Sequence, residues 1–200
     1  MRRLIRDSAT GEHLRDEYMP RAPILSERRG ADGRTLADAM LGTMGDVLYF
    51  AYGSNLDFAQ MKGRCPSARF AGVAKLPGRR LAFTRWSGGR KGAVADAVAD
   101  PAGEVWGVVF EITAEDLEVL DRCEGFTPGG SGNAYVREKC TVWLDGEEQR
   151  PVQAEVYFAV PEENPGLPSR DYRDQILRGA RDWRLPPEYI ARVLETIKAQ

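Results

Sequence analysis

The chain is predicted to be α+β, a small closed or strongly curved mixed β-barrel flanked by helices. Short apolar segments of strand length recur from Val47 to about residue 160, each closed by turn residues. Helical text is sparse between those segments and gathers at the C-terminus, which disfavours a βαβ repeat. The longest apolar runs, such as Val105-Trp106-Gly107-Val108-Val109-Phe110, have the length of strands rather than of membrane helices.

Residues 1–45 alternate charge signs with little periodicity and read as an extension, flexible or draped on the domain, with one short helix over 34–41. The domain proper spans 46–200. Val47-Leu48-Tyr49-Phe50-Ala51-Tyr52 is its first strand, ended by Gly53-Ser54-Asn55. A short helix is expected over 56–62, with a turn at Cys65-Pro66. Strands follow at about 68–76, 79–86, 93–99 and 104–111, separated by Pro77-Gly78, Ser87-Gly88-Gly89 and Pro101-Ala102-Gly103. Thr113-Ala114-Glu115-Asp116 resembles a capping box and opens a helix to about Cys123, which Gly125 stops. Strands at 134–144 and 150–160 flank Asp145-Gly146. Helices at 169–182 and 187–198 complete the chain, the second entered through Pro186-Pro187.

Composition removes several kinds of chemistry. A formal charge of −2 gives no field for nucleic acid or an anionic membrane. Arg2, Arg3 and Arg6 are followed by no apolar segment, so no secretory signal is expected. Cys65, Cys123 and Cys140 are odd in number and lack metal-like spacing, which fits a reducing cytoplasmic compartment. The one histidine, His13, lies in the leader, so Cys-His, Ser-His-Asp and histidine-zinc sites are poorly supplied. Chemistry must therefore rest on carboxylates, hydroxyls, tyrosines and backbone groups.

Glu124 stands out. Leu117, Leu120 and Glu124 share one face of the 113–124 helix, while Glu115 and Glu118 point elsewhere. A carboxylate on an apolar stripe, at the negative end of a helix dipole, has its pKa pushed upward, as a general base near neutral pH requires. A structural Glu paired with Arg122 or Arg137 remains the competing reading. Gly53-Ser54-Asn55 can turn sharply and aim consecutive N–H groups at one spot, or can be a plain loop in which Asn55 caps the next helix. Tyr49, Tyr52, Tyr135, Tyr157 and Tyr172 can orient a polar ligand or simply fill the core. Cys123, with no basic partner in view, reads as a buried helix residue rather than a nucleophile.

Together these features resemble the γ-glutamyl cyclotransferase family. The matching text is Leu48-Tyr49-Phe50-Ala51-Tyr52-Gly53-Ser54-Asn55-Leu56, Glu104-Val105-Trp106-Gly107-Val108-Val109, Leu120-Asp121-Arg122-Cys123-Glu124-Gly125, Tyr135-Val136-Arg137 and Pro168-Ser169-Arg170-Asp171-Tyr172. Gly179-Ala180 and Leu185-Pro186-Pro187-Glu188-Tyr189 resemble the form acting on γ-glutamyl amino acids. The resemblance covers about 46–198 in the family's order.

The resemblance implies that Tyr49, Phe50, Ala51, Tyr52, Gly53 and Ser54 form the γ-glutamyl binding loop. It also implies that Glu124 is the acid–base and that Tyr172, Asn55 and Tyr135 are substrate contacts. A small γ-glutamyl substrate is the partner, a homodimer is compatible with the family, and no metal or organic cofactor is required. The α-amine of the γ-glutamyl group closes on its own γ-carbonyl, giving 5-oxoproline and a free amino acid or amine. Glutathione is expected to be poor, because glutathione-specific relatives carry Tyr-Gly-Ser-Leu where this chain has Asn55.

Two departures stand against the family pattern. The leader has no counterpart, and the Gly-rich stretch 127–133 is longer than usual. That stretch is either a lid admitting a larger leaving group or a surface insertion. The alternatives are the same chemistry on a γ-glutamylated amine or natural-product intermediate, and a non-catalytic ligand-binding module of this fold.

Overall fold

A computed structural model describes residues 46–194 together with 197 and 198. The leader expected over 1–45, with its short helix over 34–41, lies outside the described residues. In chain order the elements are β1 (Asp46–Ala51), a 3₁₀ turn (Ser54–Leu56), α1 (Phe58–Arg64), β2 (Arg69–Ser87), β3 (Gly92–Thr113) and α2 (Ala114–Glu124). Then come β4 (Tyr135–Leu144), β5 (Pro151–Ala159), α3 (Arg170–Asp182), and the short α4 (Pro187–Tyr189) running into a π-helical turn (Ile190–Leu194).

The five strands close into a barrel in the order β1-β3-β2-β4-β5. Neighbouring strands are antiparallel except at the closure, where β1 runs parallel to β5 at Tyr49 and Glu155. The expected mixed, closed barrel is therefore present.

Two breaks expected from turn chemistry do not occur. The segments 68–76 and 79–86 are one strand, as are 93–99 and 104–111. Pro77 pairs with Glu104 and Arg79 with Ala99, so the Pro-Gly and Pro-Ala-Gly signals make opposed bulges in a continuous hairpin. Gly78 takes φ of 70°, and Asp100 Oδ1 accepts the Ala102 N–H at 3.2 Å. Local turn residues were compatible with a bend; pairing along both flanks kept the ladder going.

The expected capping box is also rewired. Thr113 Oγ1 accepts the Asp116 N–H at 3.3 Å, as an N-cap does. The Asp116 carboxylate does not reach back to Thr113. It takes the Ser67 N–H and hydroxyl, and Ser67 Oγ accepts the Thr113 N–H at 3.0 Å. A loop residue thus completes the cap and ties α2 to the segment after α1.

The core holds Phe50, Phe110, Ile112, Val105, Val108 and Leu120 at essentially no exposure. Each such side chain contributes about 1.5–3 kcal/mol relative to leaving it in water. α3 is fixed to one end of the barrel through Trp183, whose ring stacks on Phe70 and meets Phe58 and Phe110 edge-on. Its indole N–H donates to the Leu56 carbonyl at 2.8 Å. A Cβ on Gly179 would stand 2.6 Å from the Leu56 backbone, so only glycine lets α3 lie this close to the 3₁₀ turn. Of the C-terminal helix expected over 187–198, residues 187–194 form one helical turn followed by the π-helical turn.

Candidate active site

The end of β1 feeds the site. After Ala51 the chain passes Tyr52 and Gly53 into the 3₁₀ turn, closed by Leu56 N–H to Gly53 C=O at 3.0 Å. The Ser54 and Asn55 amides precede that first bond, so they are the turn's two donors without an intrahelical acceptor. The cap of the next helix is Asp57, whose Oδ1 accepts the Gln60 N–H at 3.0 Å. Asn55, the residue expected to cap if the loop were merely structural, is instead buried and turned toward Glu124.

Glu124 is the last residue of α2, and Gly125 follows with φ of 61°, a left-handed C-cap. Leu117 and Leu120 are buried on the same face, while Glu115 and Glu118 are exposed, as the spacing predicts. The Glu124 side chain is 16% exposed. Cys123, expected to be buried, is exposed, because it projects away from the Leu117–Leu120 face.

Glu124, Tyr49, Tyr52, Gly53, Ser54, Asn55, Tyr135 and Tyr172 surround one small cavity with Ala95 and Tyr157. The loop after β1 and the acid at the end of α2 therefore share a chamber. Phe50 and Ala51 do not line it: both are fully buried, Phe50 packing over Gly107 and Ala51 lying behind it in the β1–β3 ladder. Any part they take in the binding loop would have to come from their backbone.

The partner of Glu124 is neither Arg122 nor Arg137. Arg64, at the end of α1, places Nη1 2.9 Å from Glu124 Oε1 and 3.0 Å from Asn55 Oδ1. Asn55 Nδ2 donates to the Tyr49 hydroxyl at 2.8 Å and lies 3.5 Å from Glu124 Oε1. Among the described residues every hydrogen bond to this carboxylate lands on Oε1, and no buried side-chain polar atom lacks a partner. Oε2 is thus the oxygen left open to the cavity.

Burial raises the Glu124 pKa above the ordinary carboxylate value, and this outweighs the opposing pull of Arg64, Asn55 and Arg90. Burial likewise lifts the cavity phenols. Tyr172 is pushed up to about 12, with the Ala95 N–H at 3.1 Å working against the rise. Tyr49 and Tyr135 go well above their usual value, burial first in each case and the Glu124 charge adding to it. These tyrosines are neutral donors at physiological pH, suited to orienting a ligand and not to acting as bases.

Arg137 is engaged behind the cavity. It reaches both oxygens of Asp121, at 2.9 and 3.0 Å, and the Tyr157 hydroxyl donates to Asp121 Oδ1 at 2.6 Å. The Tyr52 hydroxyl in turn donates to the Tyr157 carbonyl at 2.6 Å. One turn of α2 thus carries two carboxylates in unlike settings: Asp121 fully engaged, Glu124 with one oxygen open.

The family model described as "Gamma-glutamyl cyclotransferase, AIG2-like" matches residues 49–177. The chain belongs to the γ-glutamyl cyclotransferase, AIG2-like family. A relative from Bos taurus, named gamma-glutamylcyclotransferase, is 38% identical over 149 residues, covering 71% of this chain and 74% of the relative. The Homo sapiens protein of that name is 36% identical over 146 residues, with the same coverage. A solved structure described as a gamma-glutamyl cyclotransferase superimposes with a TM-score of 0.69 at 32% identity, covering 78% of this chain and 89% of its own.

Several groups around this cavity of the γ-glutamyl cyclotransferase-family chain carried no signal in the sequence. Arg64 lies 60 residues from Glu124 and looks like an ordinary helix-terminal base. Gln60 donates to Ser54 Oγ and Asn55 Oδ1, both at 2.9 Å, yet reads as a surface residue of α1. Arg90, at the β2–β3 tip, donates to Ser54, Gln60 and Gln175. Only the closed barrel brings the tip, α1 and α3 to the same loop. The Gly-rich 127–133 stretch falls between Glu124 and Tyr135 in the chain, and none of its residues lines the cavity. Asn133 pins it at its base, accepting from Thr127 N–H at 2.9 Å and donating to Thr127 C=O at 3.0 Å.

Proposed function

We propose that this cavity converts γ-glutamyl amino acids to 5-oxoproline and a free amino acid, with Glu124 moving the protons. The observation that carries the assignment is the division of labour within one carboxylate: Oε1 is anchored by Arg64, and Oε2 is open beside the loop after β1.

The α-ammonium gives up a proton to Oε2, which frees the nitrogen lone pair. That nitrogen attacks the γ-carbonyl of its own molecule, so ring closure needs no covalent enzyme intermediate. The Ser54 and Asn55 amides are the donors available to a substrate oxygen, whether the developing oxyanion or the α-carboxylate. The bond from the γ-carbon to the leaving nitrogen then breaks. Overall two protons leave the attacking nitrogen and the departing amine takes both, so Glu124 accepts and returns them one at a time. The neutral hydroxyls of Tyr49, Tyr135 and Tyr172 fix the γ-glutamyl group. The free thiols Cys65, Cys123 and Cys140 support a reducing, cytoplasmic setting.

The test is 5-oxoproline release from γ-glutamyl-alanine, a γ-glutamyl amine and glutathione. γ-Glutamyl-alanine is expected to be turned over best and glutathione poorly. Preference for the amine would move the natural substrate to γ-glutamylated amines, and no release from any donor would leave a binding module.

A further inference from the structure

Among the described residues, Arg90 is a cation with no anion of its own. It sits within the turn joining β2 to β3, where its N–H closes on the Ser87 carbonyl at 3.2 Å, and the residue is half-buried. Nη1 donates to Gln175 Oε1 at 2.9 Å, and Nη2 donates to Gln60 Oε1 at 2.5 Å and Ser54 Oγ at 3.3 Å. The guanidinium also lies over the Tyr172 ring, 5.2 Å from its centroid. All three hydrogen-bond acceptors are neutral, and among the described residues no carboxylate lies within ion-pair distance of it. The nearest link to an acid is indirect, through Gln175 Nε2 to Asp57 Oδ2 at 3.3 Å. Its charge is nonetheless felt inside the cavity, pulling the pKa values of Glu124 and Tyr172 down.

Position separates Arg90 from Arg64. Arg64 belongs to the floor of the site, with Glu124 and Asn55. Arg90 meets the cavity wall at Ser54 and Tyr172, and its other partners, Gln60 and Gln175, stand outside the lining. It is therefore at the rim. The cavity itself is small, so a γ-glutamyl group reacting at Glu124 must leave the other end of its amide outside, toward the rim. A guanidinium has five N–H donors in a planar fork matched to carboxylate, and three are used here.

We infer that Arg90 is a specificity-determining residue that binds the carboxylate of the departing amino acid. The inference rests on the cyclotransferase reading of the cavity and adds a preference to it: acidic leaving groups over neutral ones. A cation held by neutral partners at the rim gains a counter-ion when such a substrate binds, and gains none from an amine or an amide.

The wild-type protein tests this without any mutation, by comparing KM for γ-glutamyl-alanine and for γ-glutamyl-alaninamide, which differ only in that charge. The amide is expected to show a KM about tenfold higher, the size of one lost charge-assisted hydrogen bond. In Arg90→Met that difference should collapse to within about twofold, and in Arg90→Lys it should partly return. Equal KM values for acid and amide in the wild type, or an undiminished difference in Arg90→Met, would overturn the role of Arg90. No 5-oxoproline from either substrate would refute instead the reading on which it rests.

Discussion

Arg64 and Glu124, 60 residues apart, meet at 2.9 Å, and the same Arg64 nitrogen holds Asn55 at 3.0 Å. One guanidinium thus joins the acid at the end of α2 to the turn that follows β1. It also sets a balance. Burial favours the protonated carboxyl, and Arg64 is the largest force against it. Removing Arg64 removes a downward pull, so the Glu124 pKa moves further up. In Arg64→Met the acidic limb of the kcat/KM profile is expected to shift to higher pH, with neutral-pH activity falling about tenfold or more. Arg64→Lys should restore part of both. An acidic limb that stays in place would show that Glu124 is not the group titrating there.

Glu124→Gln keeps shape and an acceptor for Arg64 but cannot carry a proton. Loss of 5-oxoproline release by about 10²–10⁴-fold is expected, with an unchanged circular dichroism spectrum. Cys123→Ser, altering an exposed thiol outside the cavity, should remain fully active. Substantial turnover by the Gln variant, or inactivity of the Ser variant, would transfer the chemistry from carboxylate to thiol.

The same substitution reports on stability. Because the folded-state pKa of Glu124 lies above its unfolded value, the native state holds this proton more tightly than the unfolded chain. Its contribution is fully present below the unfolded pKa and is lost as pH rises through the folded one. Glu124→Gln, always neutral, escapes that loss. Its Tm should exceed that of the wild type at pH 8, and the gap should close toward pH 4. A gap that widens on acidification would mean that Arg64 outweighs burial.

Much of this architecture can be read from residue order, and the parts that cannot have a common cause. The apolar stripe of α2, the strand ending at Gly53 and the Gly125 stop are local patterns, and each occurs where spacing puts it. Pro77-Gly78 misleads because a turn signal states what the backbone tolerates, while pairing of β2 with β3 decides whether the strand ends. Arg64, Gln60 and Arg90 are invisible for the related reason that their partners are chosen by barrel closure. Phe50 and Ala51 sit inside a motif, yet strand pairing sends their side chains into the core and away from the cavity.

Asp121 supports the cavity from behind. Its carboxylate takes two bonds from Arg137 and one from Tyr157, a cavity-lining residue. Asp121→Ala leaves a largely buried guanidinium with, among the described residues, only Glu155, 3.5 Å from Nε, as counter-ion. A loss of about 2–3 kcal/mol is expected in urea unfolding, below the range for fully buried pairs because Arg137 keeps some solvent. KM should rise as Tyr157 is released. An unchanged midpoint would show that Glu155 alone satisfies Arg137.

Gly179 tests whether the site depends on how α3 is seated. Its missing Cβ allows the helix to rest on the Leu56 backbone, and Trp183, one turn later, locks the same carbonyl with its indole N–H. Leu56 closes the 3₁₀ turn whose preceding residues, Ser54 and Asn55, line the cavity. A methyl group 2.6 Å from backbone atoms cannot be relieved by rotating a side chain, so either the helix or the turn must move. Gly179→Ala is therefore expected to cost about 1–3 kcal/mol in stability and to raise KM for γ-glutamyl-alanine, although position 179 touches no substrate. If stability falls and KM stays constant, the helix has yielded and the turn has held. If both change, the turn has moved, and the binding loop is positioned by α3 as much as by β1.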